Sequence, residues 1–440
     1  MKKFLFTATL LFSVLSCTKE AKPIVITSDD YHKSVDKLTA VMVHDIFSPP
    51  VASRIYSYAT IAAFEVIAHK NIKYTSLSGQ LKGLGPSPDP ASKDINFELA
   101  ALIAQLEIGK QLIFSEDKIL SYRDSLYTNW KALNPVVFEA SKTYGMKVAD
   151  HITQWMDKDN YKETRTMPKY TVDADNASRW QPTPPSYMDG IEPHWSKIRP
   201  FVIDSASQFK PIAHPEYSMD KDSKFYQELM EVYELGGGTK EGDGNEDRIA
   251  IAKFWDCNPY VATTKGHLMF ATKKITPGGH WMGICKIACK KDNADFDKTV
   301  YAYAKTAIAL SDGFISCWDE KYRSNLIRPE TLINNTFDEN WFPNLQTPPF
   351  PEYTSGHSVV SGAASVILTQ IFGDNFEFED TTELLYGLPV RRFKSFYDAS
   401  SEAAISRMYG GIHYRAAIDN GLIQGKNLGN FVAEKLKMVQ

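Results

Sequence analysis

Apolar residues recur at three- and four-residue steps along most of the chain, the spacing of helices that bury one face. From Tyr31 onward, Val35, Leu38, Val41, Met42 and Ile46 share one such stripe. Ser48-Pro49-Pro50 ends it, because the residue before a proline is pushed out of the α region. A second, more apolar helix follows through Ile55, Ala62, Ala63 and Val66, and a loop is marked by Pro86, Pro88 and Pro90. The pattern then predicts helices over 97–113, 116–132, 136–156, 221–235, 247–254, 280–289, 296–318, 356–372, 400–409 and 414–437. Residues 159–215 break the pattern with eight prolines. A stretch that long and irregular in a compact domain is expected to serve function or to cover another surface. Strand signals are few and short, so the expected fold class is mainly α, a helical bundle in one large domain over 31–440.

Composition changes this picture little. The chain has 440 residues, 43% hydrophobic and 23% charged, with net charge −4. That excludes wholesale disorder and gives no global electrostatic case for a nucleic-acid partner. The first residues read as an address: Lys2 and Lys3, an apolar run over 4–14, then Leu15-Ser16-Cys17. The run is short for a membrane span and fits a secretory signal over 1–16. A small residue before cysteine resembles a lipobox, so Cys17 is expected to carry a lipid, with a tether to residue 30 and an exported, periplasmic or cell-surface location. The remaining cysteines, Cys257, Cys285, Cys289 and Cys317, form no zinc framework. Export permits disulfides, but Cys285 and Cys289, four apart on a predicted helix, read as core thiols. Two look-alikes are discarded. Gly236-Gly237-Gly238-Thr239-Lys240 lacks phosphate-loop spacing, and Asp243, Asn245 and Asp247 lack the glycine and final glutamate of a calcium loop.

The chemistry concentrates in three blocks within 318–430: Lys321 to Pro329, Ser355-Gly356-His357, and Ser406-Arg407 through His413. Singly, each is bland: solvated cations, a helix cap, a histidine after two glycines. Together they compose an oxyanion site. Lys321, Arg328 and Arg407 supply positive charge, and arginine adds a planar donor fork. Ser355 and Gly356 stand where a helix begins, with unpaired N–H groups and partial positive charge. One histidine can bond the central atom while the other moves protons.

The order KxxxxxxRP, SGH, SRxxxxxH resembles the superfamily of type 2 phosphatidic acid phosphatases and vanadium-dependent haloperoxidases, although Thr354 replaces the usual proline before Ser355. Residues 48–54, 254–259, 276–281 and 350–353 extend the likeness to secreted bacterial haloperoxidases. The resemblance implies vanadate as cofactor, with His413 as its ligand. It further implies that Lys321, Arg328, Ser355, Gly356 and Arg407 hold the oxygens, that His357 is an acid–base and that Lys321 polarises hydrogen peroxide. Halide would then be oxidised to hypohalous acid. Trp318 and Phe350 are candidates for the halide pocket, with Tyr260 and His280 weaker. Their placing is similar to chloride-oxidising relatives, whereas the wider likeness to iodoperoxidases implies iodide, with bromide second. The expected partners are peroxide and halide, with the membrane met only through Cys17. The alternative is an acid phosphatase with His413 as nucleophile. Where the superfamily often carries an aspartate four residues after the last histidine, this chain has Ala417. Asp419, six away, is turned off that face; a backbone carbonyl could hold His413 instead, and the sequence leaves open what orients it.

Overall fold

The computed structural model describes residues 21–237, 245–265, 268–271 and 273–440, with the backbone alone over 262–271. The signal segment and Cys17 lie outside the described residues, as do most of the two discarded loops. The order is α1 (Ser28–His44), α2 (Pro49–Lys70), α3 (Phe97–Gln111), α4 (Glu116–Leu133), α5 (Pro135–Met156), the single turn α6 (Tyr161–Thr164), α7 (Lys224–Leu235), α8 (Glu246–Phe254), strands β1 (Ala262–Lys265) and β2 (Leu268–Ala271), α9 (Pro277–Lys291), α10 (Phe296–Ser324), α11 (Pro329–Thr336), α12 (Gly356–Phe372), strands β3 (Phe378–Asp380) and β4 (Arg391–Phe393), α13 (Phe396–Tyr409) and α14 (Arg415–Lys435). The strands pair only as two antiparallel hairpins, β1 with β2 and β3 with β4.

The serine and prolines expected to stop α1 also start the next helix. Ser48 accepts a hydrogen bond from Val51 N and opens α2, whose first two residues are prolines. Every α2 residue from Pro49 to Ile67 is buried, because α2 lies between α3 and α10 and has no solvent face. The packed fold starts earlier than the sequence suggests. Thr27 and Asp30 form a capping box that opens α1 at Ser28, and Ile24 and Ile26 are buried, so the end of the supposed tether is part of the core.

One hydrophobic cluster runs from Ile24 to Met438 and joins both halves of the chain. Its backbone is α10, whose 29 residues span about 43 Å at 1.5 Å per residue. Helix α10 runs two turns beyond the predicted end and so includes Lys321. Its far half packs on α12 and α14. These two approach closely because Gly425 has no side chain: a Cβ there would sit 2.0 Å from Val359 O. The contact also joins their N-termini, where Ser355 N donates to Ala417 O at 3.0 Å.

The proline-rich segment proves to be a wrap around α10. Asp312, buried on α10, accepts from Phe201 N (2.7 Å), Val202 N (2.7 Å) and Ile203 N (3.0 Å). Ile191 O accepts from Trp318 Nε1 (3.2 Å) and Tyr322 OH (2.6 Å). Helix α11 has no counterpart in the sequence reading; eight residues behind a proline give too short a pattern to register.

Candidate active site

The three blocks meet at the N-terminus of α12, the end of α10, the N-cap of α11 and the loop from α13 to α14. That loop turns sharply at Gly411, whose φ of +76° favours glycine; a Cβ there would lie 2.1 Å from Gly236 O. The turn delivers His413 to a recess of ≈ 440 Å³ lined by Trp318, Phe350, Gly356, His357, Arg407 and His413, among others. Trp318 and Phe350 pack with ring centroids 4.9 Å apart and form its aromatic wall.

Arg328 and Lys321 stand behind this lining. Arg328 Nε donates to Phe350 O (2.9 Å) and Nη1 to Ile412 O (2.7 Å), while Nη1 also lies 3.2 Å from His413 Nε2. Lys321 Nζ donates to Pro351 O and Glu352 O, both at 3.0 Å, using two of its three protons. Arg407 is steadied by Ser406 Oγ (3.0 Å) and Ala252 O (3.2 Å). Ser355 caps α12 through Ser358 N (3.3 Å). Thr354, the departure from the motif, donates to Gln424 Oε1 at 2.7 Å and ties this loop to α14.

The group that orients His413, left open by the sequence, is a carboxylate and not a backbone carbonyl. Glu352 Oε1 accepts from His413 Nδ1 at 2.8 Å and from Tyr414 N at 2.9 Å, and the residue is fully buried. The sequence placed Glu352 in a similar stretch but gave it no task, since it lies 61 residues from His413 and no local spacing links them. Asp419 is exposed and interacts with Arg415 instead. The geometry fixes the tautomer: Nδ1 carries the proton, and Nε2 keeps a lone pair that faces Arg328 Nη1 at the edge of the recess.

Burial dominates the electrostatics. It lowers the Lys321 ammonium to about 7, with repulsion from Arg328 adding to it, and lowers Arg328 to about 10 against the pull of Glu352. It pushes Glu352 up to about 8 against the pull of Arg328 and Lys321. His357 and His413 are held well below the ordinary histidine range, by burial first and then by neighbouring cations; both are neutral near pH 7. Burial thus opposes the charge on Lys321, Arg328 and Arg407 alike, and negative charge brought into the recess would restore it. Arg328 Nη2 and His357 Nε2 are buried without a partner. Such a pocket lacks negative charge and acceptors, which an oxyanion supplies. The residues present therefore fit vanadate.

The weaker candidates separate. Tyr260 does not line the recess, and its phenol bonds to Ser48. His280 sits behind the wall, 3.5 Å from Cys257 Sγ by its Nδ1. Cys257, Asn258 and Pro49, which do line the recess, were visible only as parts of resembling stretches. All four described cysteines are buried and free.

Comparison with known proteins agrees with this geometry. Residues 301–440 match the family model of the VCPO second helical-bundle domain. No curated protein matches. The structure superposes on the first bacterial vanadium-dependent iodoperoxidase with a TM-score of 0.90 and 61% identity, covering 96% of this chain and 99% of that one. A bacterial vanadium-dependent chloroperoxidase is similar in its apo form (TM-score 0.67, 18% identity, 88% and 94% covered) and in its holo form (0.66, 17%, 89% and 93%), which shows the shared fold. With that fold, these three blocks and that identity over nearly the whole chain, the protein belongs to the vanadium-dependent haloperoxidase family.

Proposed function

We propose that the protein oxidises iodide, and bromide less readily, with hydrogen peroxide in a vanadate-dependent reaction. The observation that carries this is the convergence of Lys321, Arg328 and Arg407 on two neutral histidines, one of them fixed by Glu352. His413 Nε2 is the ligand atom. Lys321, Arg328, Arg407, Ser355 and the Gly356 N–H hold the oxygens. Bound vanadate supplies a Lewis acid that activates hydrogen peroxide without changing its own oxidation state.

The protein's own groups then manage protons. The net reaction, H₂O₂ + I⁻ + H⁺ → HOI + H₂O, consumes one proton per turnover. His357 Nε2, buried and unpartnered, accepts a proton from peroxide entering the recess and returns it to the leaving oxygen. The remaining Lys321 N–H draws electron density from the oxygen that halide attacks. Trp318 and Phe350 exclude water from the approach. Iodide is favoured because it is the most easily oxidised halide, and the 61%-identical relative is an iodoperoxidase. A phosphatase reading has no comparable support among the matched structures.

The N-terminal pattern supports export, with Cys17 lipidated at the membrane surface; mass spectrometry of the mature N-terminus in a native host tests that. The catalytic test is reconstitution of metal-free protein with vanadate, followed by peroxide-dependent oxidation of iodide, bromide and chloride, with a phosphate ester in parallel. Ester hydrolysis by vanadium-free protein without iodide oxidation after reconstitution would refute the proposal.

A further inference from the structure

We propose a second metal site, independent of the vanadate reading, in which Cys257 Sγ, His280 Nδ1 and Glu383 Oε1 bind one zinc-class divalent ion. Among the described residues these form the one group of His, Cys and carboxylate side chains whose ligand atoms lie within 4.8 Å of one another, and all three residues are buried. His280 Nδ1 lies 3.5 Å from Cys257 Sγ and 3.1 Å from Glu383 Oε1. Zinc bonds of about 2.0–2.3 Å in a tetrahedron make N–S and N–O edges of about 3.3–3.6 Å, so two edges of the triangle are already near those of a tetrahedral face, and the third is no longer than 4.8 Å.

Two further observations point to an ion rather than to packing alone. Glu383 Oε1 is buried with no partner other than the imidazole 3.1 Å away. The other ring nitrogen, His280 Nε2, meets Asp380 Oδ2 at 2.8 Å and Thr382 Oγ1 at 2.8 Å. That is the outer carboxylate–histidine arrangement that orients metal-bound imidazoles. The mixed sulfur, nitrogen and oxygen donors suit zinc or cobalt(II) over magnesium or calcium. Glu383 also lines a second, open recess with Asp256 and Lys274, so the carboxylate edge of the triangle lies beside solvent.

The ion would join three separate pieces: the loop after α8, helix α9 and the turn after β3. Cys257 lines the halide recess as well. Its metal-bound thiolate would therefore hold that wall in place and keep its sulfur lone pairs from the oxidant made beside it.

The competing arrangement is an imidazolium held by Asp380 and Glu383 with no metal. Vanadate-free, chelator-treated full chain is dialysed against excess zinc, then against buffer, and its metal is measured by plasma mass spectrometry; cobalt(II) is loaded in parallel. Expected are one zinc per chain, lost by at least tenfold in Cys257→Ser and in His280→Gln but kept in Cys289→Ser, and a sulfur-to-cobalt charge-transfer band absent from Cys257→Ser. Circular dichroism identifies variants that fold; should one not fold, the cobalt band of the wild type decides. Wild type that retains no zinc and shows no such band, or folded Cys257→Ser that retains full stoichiometry, overturns the site.

Discussion

Glu352→Gln isolates what a single buried charge does for the vanadate ligand. Glutamine has the same shape, and its carbonyl oxygen can accept from His413 Nδ1 and Tyr414 N as Oε1 does at 2.8 and 2.9 Å. Its amide replaces Oε2, which is buried without a partner, so the swap breaks no hydrogen bond. What disappears is the negative charge that Glu352 gains as pH rises through about 8, which raises the basicity of Nε2, so the two proteins should differ most above that pH. Loss of such an outer partner costs metal affinity about 10–100-fold, or about 1.4–2.8 kcal/mol. Glu352→Ala is harsher, because it also orphans two buried N–H groups at about 1–3 kcal/mol each. Equilibrium dialysis with vanadate, read beside iodide oxidation at saturating vanadate and a thermal melt, measures the three effects apart. A Glu352→Gln protein with wild-type vanadate affinity would refute the argument that this carboxylate tunes His413.

His413→Ala should abolish stoichiometric vanadate binding, whereas His357→Ala should retain vanadate and lose about 10²–10⁴-fold in turnover, the usual range for a lost proton-transfer group; dialysis and steady-state kinetics separate them. Gly425→Ala should destabilise by about 1–3 kcal/mol or more through overpacking, since its Cβ would lie 2.0 Å from Val359 O; a denaturant melt unchanged from wild type contradicts the close approach of α12 and α14. His32 is buried with Nδ1 2.9 Å from Tyr303 OH, and burial lowers it from 6.5 to about 4. The unfolded chain therefore binds more protons between those values, so stability is present above about 6.5 and lost as pH falls toward 4, by about 3 kcal/mol at most. His32→Gln should flatten that acid limb of a melting-temperature profile, and an unchanged slope would reject it.

Much of this architecture was legible because helices announce themselves locally. The α2 run from Pro49, the long apolar periodicity of α10, the stop at Ser48-Pro49-Pro50 and the cap at Ser355 each lie within a few residues of what they determine. The cradle was legible for another reason: Lys321, Arg328, Ser355, Arg407 and His413 fall in short motifs. What escaped depends on contacts between distant segments. Glu352 finds His413 only after α10, α12 and α14 have packed. The wrap over 159–215 shows its purpose only when Phe201, Val202 and Ile203 meet Asp312. The capping box at Thr27 was local, but it was hidden by reading that stretch as a tether.

The indole N–H of Trp318 is held by Ile191 O, in the irregular wrap, while Lys321, one turn along the same helix, is held by the loop before α12. Two neighbouring side chains on one rod thus answer to different parts of the chain. Yet those parts are joined: Ile191 N donates to Pro349 O at 3.0 Å, and Phe350, the other half of the aromatic wall, holds Arg328 through its carbonyl. A change in either segment therefore reaches wall and cations alike, so halide preference and cofactor affinity are expected to shift together under selection.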